Sequence, residues 1–359
     1  MKTYLFILTC SAVTSFLLTP LAISLAWRVG ALDYPSERKI HSEAMPRLGG
    51  LGVFAGFAFP WVTLYLLENR VSLSFQNHER LFLWLFIGAA LLLALGIYDD
   101  IKGARVFVKL IVQIIVGFAL YEFGGYRIET LSLFFTSKPL ELGWFSLPVS
   151  IFWVVAITNA INLLDGVDGL VTGITALLAL ALAVINIMAG NIFVALVTLS
   201  LGGACLGFLP FNFSPAKVFL GDSGSLFIGL ILAAVSMFSL FKETTATLIV
   251  VPLMLFGLPL FDTTSVLMSR AYHGRPLFKA DKSHVHHRLL QLGLSQRRAC
   301  LILYGVTGLL GIAAVALSLQ QSLDRLQYIA GGMLFICVAG LAWKLRYRSG
   351  VNINSHVKP

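Results

Sequence analysis

Four polar clusters interrupt a chain that is otherwise mostly hydrocarbon. Asp99 and Asp100 are adjacent carboxylates. Asn159, Asn162, Asp165 and Asp168 recur every three residues, Asp222 follows Phe219-Leu220-Gly221, and His284-Val285-His286-His287-Arg288 ends a basic loop. Adjacent carboxylates repel and need a cation or a raised pKa. A period of three places successive groups on roughly one face of a helix. Oxygen donors without paired cysteines or spaced histidines suit a hard cation; Mg2+ takes one or two protein carboxylates, keeps water and binds substrate phosphate. The Lys and Arg residues around the histidines fit an anion pocket better than a zinc site. Lys109 lies in an apolar run a turn or two beyond the Asp pair, either snorkelling to the interface or pairing with a phosphate. Together these groups describe phosphoryl transfer at a membrane surface.

Each cluster also has a plainer explanation. Asp99-Asp100 suits a solvated loop, and the Asn/Asp run suits a helix end followed by Asp-Gly turns. Asp222 suits an N-cap, although the same geometry offers backbone N–H groups to a phosphate. The histidines suit a solvated surface loop. What favours chemistry is their shared position: every cluster follows an apolar run, on loops of the same parity.

Those runs set the architecture. The 359 residues are 58% hydrophobic and 12% charged, with a mean hydropathy of +0.86. A soluble domain carries about a quarter charged residues, so the composition predicts an all-α polytopic membrane protein, one helical domain over residues 1–359. At about 20 apolar residues per crossing, spans are expected near 3–27, 48–67, 81–97, 106–122, 147–164, 172–189, 191–209, 224–241, 245–269, 299–319 and 326–343. The run Tyr4 to Trp27 is too long for a signal peptide and reads as the first helix. Of the 26 Lys and Arg residues, eighteen fall in the loops that carry the clusters and in the C-terminal tail; seven fall on the other side and Lys109 inside a span. Basic loops are cytoplasmic, so the site and the C-terminus are expected to face the cytoplasm. Residues 127–133 and 142–145 permit a short surface hairpin. Gly52-x-x-x-Gly56 and Gly203-x-x-x-Gly207 predict close helix packing. The four cysteines have neither metal nor disulfide spacing and read as core. A charge of +9 confined to short loops points away from nucleic acid.

In this order, Pro46-Arg47-Leu48-Gly49-Gly50, Asp99-Asp100, Asn159 to Gly169, Phe219 to Gly224 and the His284 cluster resemble the polyprenyl-phosphate N-acetylhexosamine-1-phosphate transferases. The resemblance runs from about Asp33 to Leu290. It implies attack by a lipid phosphate, undecaprenyl phosphate, on the β-phosphorus of a UDP-N-acetylhexosamine, with release of UMP, at the start of lipid-linked envelope glycan synthesis. It further implies Mg2+ as cofactor, with Mn2+ as a substitute, held by Asp222 and Asn162. Asp99 is implied as the base and Asp100 as support for the metal site. Lys109 matches a diphosphate-contacting lysine, Asp165, Asp168 and Phe219 match positions lining the uridine pocket, and Asn159 is implied as substrate-binding. His284, His286, His287 and Arg288 form the loop over the sugar diphosphate. His-Val-His-His resembles the GlcNAc-1-phosphate branch, whereas the phospho-MurNAc-pentapeptide branch usually shows three consecutive histidines. Direct transfer and a covalent carboxylate intermediate both remain open at this point, as does a homodimer.

Two other classes compete. An intramembrane aspartyl protease would use Tyr98-Asp99 and a Gly-x-Gly-Asp, but Phe219 replaces the first glycine and the histidines are left without a role. An ion-coupled transporter would place its carboxylates near the midplane, not at helix ends on one side.

Overall fold

The computed structural model describes residues 2–35, 43–66, 78–131, 140–240, 250–272, 274 and 284–318. In chain order the helices are α1 (Lys2–Val29), α2 (Gly49–Leu66), α3 (Glu79–Lys102), α4 (Val106–Ala119), α5 (Ser146–Leu164), α6 (Leu170–Met188), α7 (Ile192–Asn212), α8 (Gly221–Leu240), α9 (Val250–Leu255), α10 (Gly257–Tyr272), α11 (Val285–Gln291) and α12 (Gln296–Ser318). Among the described residues eight helical segments are long and apolar enough to cross a membrane, and α2 is a shorter apolar helix. The chain is an all-α polytopic membrane protein. The expected span at 326–343 lies outside the described residues, as do parts of the loops near 28–47 and 270–298.

The central element is α8. Leu226, Phe227, Ile228, Leu230, Ile231, Leu232, Ala233 and Ala234 are all fully buried, as expected for a helix that is apolar all round. It packs against α2, α3, α5 and α7. Its start is gripped where side chains are smallest. A Cβ on Gly96 of α3 or Gly50 of α2 would collide with the backbone at Ser223 and Gly224, so the bare helix faces let the three backbones touch.

Small residues also seat α1. Its buried positions Ile7, Ser11, Ser15, Thr19, Ala22 and Ala26 recur about every four residues, facing α2 and α7. Gly52 meets Thr19 and Gly56 meets Ser15, while Gly203 and Gly207 meet Leu8 and Ala12. Both expected small-residue motifs therefore pack on the first helix. Cys205 and Cys300 are buried and Cys10 half-buried, all three as free thiols.

Two expectations need adjustment. The span drawn at 245–269 is two helices in its described part, α9 and α10, meeting at Phe256. Pro259 has no N–H to donate to Leu255, and its ring crowds that carbonyl. The expected hairpin pairs β3 (Thr130–Leu131) with β4 (Leu140–Glu141). The segment 143–145 proposed for its second strand is instead a 3-10 turn leading into α5. A second short hairpin, β1 (Leu32–Asp33) with β2 (Met45–Pro46), joins α1 to α2.

Candidate active site

The site grows from the first turn of α8. Phe219 donates its N–H to Pro46 (2.8 Å) and accepts from Gly49 (3.1 Å), and Leu220 accepts from Gly50 (2.9 Å). Gly221 then turns the chain with φ of 73°, a conformation that costs glycine nothing. Asp100 receives the helix that follows: Oδ1 accepts the Asp222 N–H at 2.9 Å and Oδ2 the Ser223 N–H at 3.0 Å. A carboxylate at a helix N-terminus satisfies orphan donors and complements the dipole. Arg47 Nε lies 3.6 Å from the same carboxylate and Arg47 Nη1 3.4 Å from Asp33. One consequence corrects the sequence reading. The N–H groups of residues 222 and 223 are taken by Asp100, so they do not offer themselves to a phosphate. Asp100 thereby holds the α8 backbone at Asp222.

Asp99, one residue back on α3, points elsewhere because neighbours on a helix diverge by about 100°. Its Oδ1 accepts the Ala104 N–H. Its Oδ2 lies 3.0 Å from Lys109 Nζ, which lies 2.6 Å from Asp222 Oδ2. An ammonium thus joins carboxylates from α3 and α8 that would otherwise repel. Oxygen donors of this kind suit a hard cation better than a soft one. Among the described residues no group of three or more His, Cys, Asp or Glu converges as a metal cluster. Asn162 donates to Ser225 Oγ at 2.8 Å, one turn beyond Asp222, leaving its Oδ1 as the amide atom able to ligate. Asn159 turns to α4, donating to Gln113 Oε1 at 2.6 Å and to Val155 O at 2.8 Å. It braces α5 against α4, and the fully buried Gln113 is a partner that sequence reasoning missed.

Removal of the Lys109 charge tests this arrangement. Lys109→Gln leaves Asp99 and Asp222 facing each other without a cation, so turnover should fall at least 100-fold. Added divalent cation should also raise the variant's melting temperature in detergent more than the wild type's, because no ammonium then competes for the carboxylates. Equal shifts in the two proteins would refute a shared cation position.

Beside these groups opens a cavity of about 550 Å³, lined by Asp165 to Asp168, Asn212, Ser214 to Ala216, Phe219 to Asp222, Arg47 and His287. This lies within the range of small-molecule sites. Asp168 accepts the Ala216 N–H at 3.1 Å, tying the α5–α6 loop to the α7–α8 loop. Burial, helped by the charges of Asp222 and Asp100, pushes the Asp165 carboxyl well above the ordinary carboxylate range. The β1–β2 hairpin contributes Asp33, Glu43 and Met45 to the wall. These three were not foreseen from sequence, since single residues at a strand end form no pattern.

The histidines close the far side. His287 reaches the cavity. His286 is buried, its ring 4.4 Å from that of His287 and parallel to His284 at 5.6 Å. A Cβ on Gly166 would lie 2.6 Å from His286 Nε2, so this glycine of the Asn/Asp run admits the ring. Arg288 lies half-buried on α11. His284 turns away from the cavity toward Asp262, with Nδ1 2.9 Å from Oδ2.

Neither nitrogen of His286 has a hydrogen-bond partner among the described residues, and burial holds its pKa down at about 3, against the pull of Asp262. Below about 6.5 the unfolded chain then binds a proton that the folded chain refuses. Stability is present in full above that pH and declines as pH falls toward 3, by up to a few kcal/mol. In melting curves at pH 7 and pH 5, wild type should lose more stability than His286→Phe; equal losses would refute a neutral buried ring.

The glycosyl transferase family 4 profile matches residues 82–240, which contain Asp99, Asp100, Lys109, the Asn/Asp run and Asp222. Among curated relatives, the Bacillus subtilis protein named "Probable undecaprenyl-phosphate N-acetylglucosaminyl 1-phosphate transferase" is 36% identical over 307 residues, 86% of this chain and 83% of that one. The Mycobacterium tuberculosis H37Rv decaprenyl-phosphate N-acetylglucosaminephosphotransferase is 31% identical over 367 residues, 94% and 88% of the two chains. The Escherichia coli K12 undecaprenyl-phosphate alpha-N-acetylglucosaminyl 1-phosphate transferase is 28% identical over 311 residues, 84% and 82%. Their names agree with a site at the ends of membrane helices. The chain belongs to glycosyl transferase family 4, in the branch of the polyprenyl-phosphate N-acetylglucosamine-1-phosphate transferases.

Proposed function

We propose that the chain transfers GlcNAc-1-phosphate from UDP-GlcNAc to undecaprenyl phosphate at the cytoplasmic face of the membrane, releasing UMP. The observation that carries this reading is Lys109 Nζ held between Asp99 and Asp222 at 3.0 and 2.6 Å, beside a cavity of nucleotide size. An oxygen of the lipid phosphate forms a bond to the β-phosphorus; the bond from that phosphorus to the bridging oxygen breaks, and its electron pair leaves on UMP. Lys109 gives up its carboxylates to pair with the diphosphate. Asp99, freed at Oδ2, accepts the proton of the lipid phosphate. Asp165, Asp168 and Phe219 hold the uridine, and His287 faces the sugar diphosphate. Asp222 and Asn162 would hold Mg2+, with Mn2+ as a substitute, and the bound ion would neutralise diphosphate charge. The excess of Lys and Arg in the loops on this side supports a cytoplasmic orientation.

The aspartyl-protease alternative has one observation in its favour, the approach of Asp99 to Asp222. That reading, however, leaves the cavity lined by Asp165, Asp168 and Phe219 and the histidine that reaches it without a role. Purified protein supplied with undecaprenyl phosphate, Mg2+ and UDP-GlcNAc, UDP-GalNAc or UDP-MurNAc-pentapeptide should release UMP and form lipid product with the first. Lack of UMP release from all three would overturn the reading, and preference for another donor would move the chain to another branch.

A further inference from the structure

Asp262 has no part in the chemistry described above, yet it is 1% exposed in the middle of the apolar helix α10. A buried carboxylate is costly unless hydrogen bonds replace its water. Its replacements come from one place: Oδ2 faces His284 Nδ1 at 2.9 Å, and Oδ1 accepts the Val285 N–H at 2.8 Å. Both lie at the start of the segment that places His286 under Gly166 and His287 in the cavity.

We propose that Asp262 is the positioning residue for the histidine segment, fixing the His284 tautomer and the register of residues 284–287 over the substrate cavity. A carboxylate accepts and does not donate, so the Nδ1 that faces it carries the hydrogen, and Nε2 is left as the acceptor of the ring. The same carboxylate holds the backbone at Val285, so ring orientation and segment position depend on one group. His286 and His287 follow within one helical turn, which carries the constraint to the cavity wall. Partners of this kind, one shell away from the reacting atoms, typically change activity 10- to 100-fold when removed.

The inference rests on the transferase reading, and the test separates the two. If wild type releases no UMP from UDP-GlcNAc, that reading fails first. Given wild-type turnover, Asp262→Asn offers one acceptor and one donor where two acceptors are needed. It should lower kcat about 10- to 100-fold, with the Kd for UMP within threefold of wild type. His284→Ala should lower kcat similarly, and the double variant should fall no more than threefold below the worse single one, because both changes break one unit. Asp262→Glu, which keeps two acceptors, should recover part of the rate. Wild-type kcat in Asp262→Asn, or losses that multiply in the double variant, would overturn the proposal. So would a fall in melting temperature for both Asp262 variants with kcat per folded molecule unchanged.

Discussion

Asp222→Ala should abolish transfer while the protein still folds. The loss expected is at least 1,000-fold in kcat, about 4 kcal/mol of transition-state stabilisation, and raising Mg2+ should not restore it. The structure shows why folding should survive. The Asp222 N–H keeps its bond to Asp100 whatever the side chain, and Lys109 keeps Asp99 as a partner, so no charge is stranded. The change even removes one of two crowded carboxylates. Size-exclusion behaviour and melting temperature in detergent check the fold, and UMP release checks the activity. Near-normal turnover at saturating Mg2+ would remove Asp222 from the site.

Asp100→Ala should behave differently from a change at its neighbour. It strands the buried N–H groups of residues 222 and 223, each costing about 1–3 kcal/mol, and takes a partner from Arg47. Melting temperature should fall by about 5 °C or more, and turnover should fall at least 100-fold because the first turn of α8 carries Asp222. Asp99→Asn should lower kcat as strongly, with UDP-sugar binding retained and melting temperature nearly unchanged. If both aspartates changed activity alone, Asp100 would be a direct participant and the helix-clamp assignment would be wrong.

How far such roles were legible depended on the kind of signal. Spacing was readable: the period of three from Asn159 to Asp168, the Asp pair and the histidine run all stand out against hydrocarbon, and loop parity placed them on one side before any contact was known. The division of work within each cluster was not readable. Asp99 and Asp100 differ by one residue in sequence, and only the approach of α8 to α3 decides which faces Lys109 and which caps a helix. Asp262 and Gln113 are single polar residues in apolar runs. Nothing in the sequence said that one would meet His284 and the other Asn159.

The sequence by itself determined that the chain is a bundle of membrane helices with acidic, amide and basic groups gathered at the helix ends of one face. Hydrocarbon thickness and the cost of buried charge leave little alternative. Tertiary structure alone decided which helix is central. The span 221–239 has a hydropathy of 1.6 and is 89% buried, whereas 79–102 reaches 2.4 and is 33% buried. Lipid and protein interior are equally apolar, so hydropathy cannot tell a helix that faces acyl chains from one enclosed by its neighbours. That choice rests on small residues such as Gly50 and Gly96, which let α8 come close enough for carboxylates from separate helices to share the Lys109 ammonium.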